Sequence, residues 1–240
     1  MMRLIPQSAF LFCAFFVLTG WLHAKDEDST APLKTIDVCI YAIAYAEGSE
    51  TVYLSDSEEE LKPVRLSKAN VLGPYPAALN ADSTITLRSQ QITETEAINH
   101  FVIAHVQLPD DVKEPLLILS PSEEGLAYDA MVVEISMQRF PLGSYLLANL
   151  SPYNIRGHVG AAEVGVSPEN VAAILPAIDD AGPYNVQFEY DRKGSWKSFA
   201  NSRWTKEVDK RTLLVAYMEP RTSKMKIRGL PVRPFALSDD

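Results

Sequence analysis

Apolar and polar residues alternate with a period of two through most of the chain beyond residue 30, and no window of twelve or more residues carries a clean helical stripe. Met225 and Ile227 alternate with Lys224, Lys226 and Arg228. Tyr153, Ile155 and Val159 alternate with Asn154, Arg156 and His158, and Val186, Phe188 and Tyr190 with Gln187, Glu189 and Asp191. Each reads as a strand with one face in a core and the other in water. Five runs are apolar on both faces: Ile36 to Ala46, Phe101 to Val106, Leu116 to Leu119, Met131 to Met137 and Leu213 to Met218. These read as central strands covered on two sides.

Turn signals separate the runs at Gly73-Pro74, Pro109-Asp110-Asp111, Pro121 to Gly125, Pro141-Leu142-Gly143, Ser151-Pro152, Gly182-Pro183 and Glu219-Pro220. The polar Asp191-Arg192-Lys193-Gly194 turns one strand into the segment Trp196 to Trp204. Ser167 to Asn170 fits a capped short helix or a turn into a strand over Val171 to Leu175, and the turn is the preferred reading. Roughly ten to thirteen short strands at this spacing predict an all-β fold of two sandwich-like, immunoglobulin-like lobes. The polar stretch Ser120 to Gly125 is the expected boundary, giving lobes over 30–120 and 126–232 and a flexible tail over 233–240.

The first 24 residues stand apart. Arg3 is followed by the apolar run Ala9 to Leu18, and Leu22-His23-Ala24 precedes the charged Lys25 to Asp28, which is the layout of a secretory signal over 1–24. The apolar run is well short of the roughly 20 residues a membrane-spanning helix needs. Phe12 before Cys13 stands where a lipobox wants a small residue. The expected product is exported, periplasmic or extracellular, with no stable membrane span after cleavage.

Cleavage after Ala24 changes the inventory. The chain of 240 residues at net −9 becomes 216 residues at −10, with Cys39 its single cysteine and His100, His105 and His158 its histidines. The acidic balance argues against nucleic acid, because phosphate contacts need a basic face. No intramolecular disulfide is possible, and the apolar neighbours of Cys39 favour a buried, inert thiol.

Neither a metal nor a cofactor is expected. His100 and His105 are five apart in one apparent strand, which places them on opposite faces unless a bulge intervenes. The run Asp56 to Glu60 lacks the spacing of a calcium loop. The chain contains no Gly-x-Ser-x-Gly elbow, no phosphate-cradling Gly-x-x-x-x-Gly-Lys and no dinucleotide Gly-x-Gly-x-x-Gly, so no catalytic residue is assigned. Asn149-Leu150-Ser151 matches a glycosylation acceptor, yet Pro152 follows and the site lies at a strand end, which favours a structural role.

One feature suits a binding surface. Tyr184, Phe188, Tyr190, Trp196, Phe199 and Trp204 crowd a hairpin-sized segment together with Arg192, Lys193, Lys197, Arg203 and Lys206. Two readings stand: Phe188, Tyr190, Trp196 and Trp204 fill the core, or Tyr190, Trp196 and Trp204 present rings to a sugar or a partner side chain.

Phe140 to Ser151, Gly157-His158-Val159-Gly160, Trp196 with Ser202-Arg203-Trp204, and Asp209 to Leu213 together resemble a group of secreted bacterial proteins of unknown function. The similarity covers roughly residues 115–230. It implies an exported bacterial location and a β-rich fold, and it supplies no activity. The expected function is therefore a non-catalytic interaction or structural module of the bacterial cell envelope, with an envelope protein or polysaccharide as partner. The alternatives are a glycan-acting hydrolase with paired carboxylates and a carbohydrate-binding module. Edge-to-edge assembly of like copies is a further possibility for a chain with so many strands.

Overall fold

The computed structural model describes residues 34–56, 60–92, 97–176, 183–205 and 207–234. The expected signal, Cys13, residues 57–59 of the acidic run and the end of the tail from 235 onward lie outside the described residues. Pro32–Asp240 belongs to one compact unit. Its sixteen strands, with no helix among the described residues, confirm the all-β expectation of two sandwich-like lobes.

The first lobe comprises β1 (Lys34–Ala42), β2 (Thr51–Ser55), β3 (Leu61–Arg65), β4 (Leu72–Leu79), β5 (Thr84–Ile92), β6 (Ile98–Gln107), β7 (Pro115–Pro121) and β8 (Tyr128–Glu134). The second comprises β9 (Tyr145–Asn149), β10 (Ile155–Val159), β11 (Ala162–Val166), β12 (Val171–Ile174), β13 (Tyr184–Arg192), β14 (Ser195–Trp204), β15 (Thr212–Glu219) and β16 (Lys224–Pro231). Four sheets result, in the orders β3-β2-β5-β6, β4-β1-β7-β8, β12-β9-β15-β16 and β11-β10-β13-β14.

Adding eight to each strand number of the first lobe gives the order in the second. The match extends to direction: β1 and β7 are parallel, as are β9 and β15, and the other pairs are antiparallel. It extends to irregularities as well, because β5 and β13 both slip register against their hairpin partners, after Leu87 and Phe188. Pro115 pairs with Glu134 and Thr212 with Pro231, so the closing hairpins have equal length. The fold is a twofold repeat that the residues themselves do not advertise.

Three apolar cores separate the four sheets. Val38, Ile40 and Ala42 of β1 face Val52, Leu54 and Leu87 within the first lobe. Cys39 and Tyr41, the alternate residues of the same strand, face Leu146, Leu213 and Val215 across the junction between the lobes. Leu147 and Leu214 turn the other way, onto Val186 and Phe188 of the second lobe. Strands β1, β7, β9 and β15 are therefore buried on both sides, as continuous apolar runs require.

Phe101 to Val106 and Met131 to Met137 are not central, because β6 and β8 close the edges of their sheets. Phe101 and Val102 of β6 are exposed, whereas β8 is covered on both sides as expected, with Val132 against the first lobe's core and Val133 in the junction core, and Met137 lies past its end. Among strands without a strong sequence signal, β3 and β4 carry Pro63, Pro74 and Pro76. Both are edge strands, where a missing backbone N–H is tolerated. Ser167 to Asn170 is a turn into β12, with Glu169 at φ 58°. Ser120 to Gly125 lies at the turn of the β7–β8 hairpin, and the chain crosses from the first lobe to the second between Ile135 and Ser144.

Candidate binding surfaces

The β13–β14 hairpin separates its aromatic residues by strand alternation. Lys193 and Gly194, at φ 58° and 79°, make the tight turn, and Asp191 accepts the Gly194 N–H at 2.7 Å. Phe188 is fully buried in the second lobe's core. Tyr190 points to the same side and packs at the core margin, its ring 5.2 Å from Tyr153 and 5.9 Å from Phe199. Trp196 pairs with Asp191 near the turn, on the outer face, while Trp204 pairs with Tyr184 at the far end, on the inner face. The three residues singled out from sequence thus form no common surface.

Trp204 lines a cleft of about 1230 Å³ between the lobes. Its ring lies 5.2 Å from that of Tyr145, whose hydroxyl bonds the Tyr184 hydroxyl. Leu72 of the first lobe and Leu142, Leu214 and Val232 of the second add apolar wall. Glu207, Asp209, Lys210 and Arg233 supply charges of both signs, with Lys210 and Glu207 paired at 2.8 Å.

A buried cation braces one side of this cleft. Arg211 is 1% exposed, and its guanidinium donates to the carbonyls of Ile135 and Phe140 on the crossing segment and of Val232 and Arg233 beyond β16. Four carbonyls satisfy a charge that would otherwise be costly to bury. Burial still draws its pKa below the ordinary value, against the opposing pull of Glu114. Cys39 also lines the cleft, and burial pushes its thiol up to about 11, which is the inert state expected of it.

Glu114 occupies the repeat position of Arg211. Ile135 N–H bonds the Glu114 carbonyl as Val232 N–H bonds that of Arg211, each at 3.0 Å. Burial raises the pKa of the Glu114 carboxyl, whose Oε2 is enclosed without a hydrogen-bond partner among the described residues. Its neighbour Glu134 shifts the other way. Burial pushes that carboxyl up, but hydrogen bonds from Ser136 and from the Lys113 and Glu114 N–H groups outweigh it and leave the pKa lowered. Glu134 therefore ties the chain entering β7 to the chain leaving β8.

A second depression, about 320 Å³, lies on the outer face of β11-β10-β13-β14 among Arg156, His158, Glu163, Gln187 and Glu189. Arg156 donates from Nε and Nη2 to Glu189 Oε2 at 2.9 and 2.8 Å, and its guanidinium stands 4.2 Å from the centre of the Trp196 ring. Gln187 donates to the other Glu189 oxygen at 3.4 Å. Sequence reading missed Arg156 and Glu189, because only the β10–β13 register brings them together.

The histidines follow a different rule from simple alternation. Ile103 is an extra residue in β6, so His105 opposite Thr86 and His100 opposite Gln90 come onto the same face. They remain apart, His105 hydrogen-bonded with Thr86 at 3.3 Å and His100 set edge-on to Tyr53. No group of three or more potential metal ligands exists among the described residues. Asn149 is fully buried, its amide donating to Tyr153 and Val166 carbonyls at 2.8 and 3.3 Å and accepting from Ser151. This structural network leaves no accessible glycosyl acceptor.

No family model and no curated protein matches this chain. No helix among the described residues is long and apolar enough to cross a membrane.

Proposed function

We propose that the protein is an exported, non-catalytic interaction module of a bacterial cell envelope, which holds an extended segment of an envelope protein between its lobes. The observation that carries this reading is the cleft of about 1230 Å³ walled by Trp204. Junctions between lobes are favoured places for binding sites. A large aromatic ring beside aliphatic walls provides the kind of anchor pocket that dominates interface energies. Charges of both signs at the margin suit the mixed backbone and side-chain groups of a peptide better than a uniform anion or cation.

The signal-like first 24 residues and the resemblance to secreted bacterial proteins support export. Glu207, a carboxylate at the cleft, is engaged by Lys210, which suits a binding rim more than a general acid.

Affinity capture from envelope extract tests the reading, using the wild-type mature chain beside Trp204→Ala and Leu142→Arg. One protein retained by the wild type and lost by both variants is expected. Retention by both variants would refute the assignment of the cleft.

A further inference from the structure

Two glycines on neighbouring strands of the outer sheet of the second lobe, one register step apart, differ in their reason for being glycine. A Cβ on Gly157 would come within 2.3 Å of the Gln187 carbonyl oxygen and 2.5 Å of the Phe188 ring, so the fold requires its absence. Gly165 lies within β11, opposite Arg156. A Cβ there would meet no atom of the described residues within 4 Å, and its φ is outside the left-handed region. Neither packing nor backbone strain asks for glycine, which weakens a strand through the entropy it loses on folding.

The repeat supplies an independent control. Tyr53 pairs with Arg88 and Pro63 as Arg156 pairs with Glu189 and Gly165, each row lying just past the register slip. The first lobe therefore carries Pro63 where the second carries Gly165. The frame accepts a side chain at this place, and the second lobe leaves it bare next to Arg156, which lines the depression of about 320 Å³. A glycine in a strand without a packing reason marks a close approach by something outside the sheet.

The surrounding groups define what approaches. Arg156, Gln187 and His158 supply donors, and Glu163, Glu189 and the Gln187 carbonyl supply acceptors, all from strands whose registers are fixed. Glu189 holds Arg156, and Arg156 holds the Trp196 indole, which remains 37% exposed. An anion would meet two carboxylates and a guanidinium already engaged through two of its nitrogens. Adjacent donors and acceptors beside an aromatic plane match a ligand bearing vicinal hydroxyls on a partly apolar ring.

We propose that this face binds one unit of a neutral polysaccharide, with Gly165 admitting the sugar, Arg156, Gln187 and Glu189 hydrogen-bonding its hydroxyls, and Trp196 flanking its ring. This site is separate from the interlobe cleft and does not depend on the peptide reading.

The test applies the mature chain to an array of neutral glucan, mannan and N-acetylglucosamine oligomers, with acidic oligosaccharides and hexalysine alongside. Binding to at least one neutral oligomer is expected, weakened at least tenfold by Gly165→Val and by Trp196→Ala and unchanged by Val102→Thr on the first lobe. Trp196 is exposed, so its replacement leaves the core intact and guards against a folding artefact in the glycine variant. Absence of neutral binding, binding confined to acidic oligosaccharides or hexalysine, or binding that survives both weakening variants would overturn the proposal.

Discussion

The outer sheets of the two lobes place different chemistry on the same frame. Across the first runs the row Pro63, Tyr53, Arg88, Val102, and across the second runs Gly165, Arg156, Glu189, Ser198. The next row holds Gln90 and His100 in one lobe, Asp191 and Trp196 in the other. Even a diagonal contact is preserved, with Tyr53 against His100 at 4.7 Å and Arg156 against Trp196 at 4.2 Å. In the first lobe an aromatic ring lies edge-on to an imidazole beside a proline; in the second a guanidinium stacks on an indole beside a gap. A shared topology thus fixes where side chains meet but leaves open what they do there.

The lobe junction shows the same divergence at repeat-related positions, and it gives the largest expected effect. Arg211→Ala leaves four carbonyls without their donor in the cleft wall and should lower unfolding free energy by about 3–5 kcal/mol. Glu114→Ala, the related substitution, should leave stability at pH 7 unchanged or raised. Its folded pKa is raised, so its favourable contribution is complete below the unfolded pKa and is lost as pH rises through the folded one. Denaturant titration of both variants checks the contrast, and equal losses would erase it.

Gly157→Val comes next. Its side chain would collide with backbone and with Phe188, and a loss of about 1–3 kcal/mol is expected in the same titration. A smaller effect is expected for Glu134→Gln, which weakens three hydrogen bonds from backbone N–H groups and should destabilise by about 1–2 kcal/mol at pH 7. The lowered folded pKa makes this contribution full above the unfolded value and lost as pH falls through the folded one. The gap between variant and wild type should therefore close in acid; a gap independent of pH would point to shape rather than charge.

The sequence made the double-sided strands legible because their apolar residues are consecutive. In β1 the even and odd positions serve two different cores, and a strand covered once has no reason to be written that way. Strands β3 and β4 were hidden by prolines that edge positions tolerate. Runs in β6 and β8 looked central because composition does not distinguish an apolar edge from an apolar middle. The one-residue bulge at Ile103 defeated the alternation used to separate His100 from His105.

The binding surfaces were less legible for a related reason. Trp196 and Trp204 were visible as aromatic residues, but their separation onto opposite faces follows from the register slip after Phe188. Arg156 and Glu189 lie 33 positions apart, and nothing local pairs them. The repeat itself was unreadable, since it is carried by strand order while the residues at matching positions, Glu114 and Arg211 or Pro63 and Gly165, share no chemistry.

The central claim is that the frame is common to both lobes and that the bare position in the second serves a ligand. Thermal unfolding of Gly165→Val tests it without knowledge of that ligand. Valine suits an exposed strand position and restricts the unfolded chain, so stability should rise by about 0.5–1 kcal/mol, or roughly 1–4 °C in Tm. A fall of several degrees would show that the fold itself needs the glycine, and would contradict the claim.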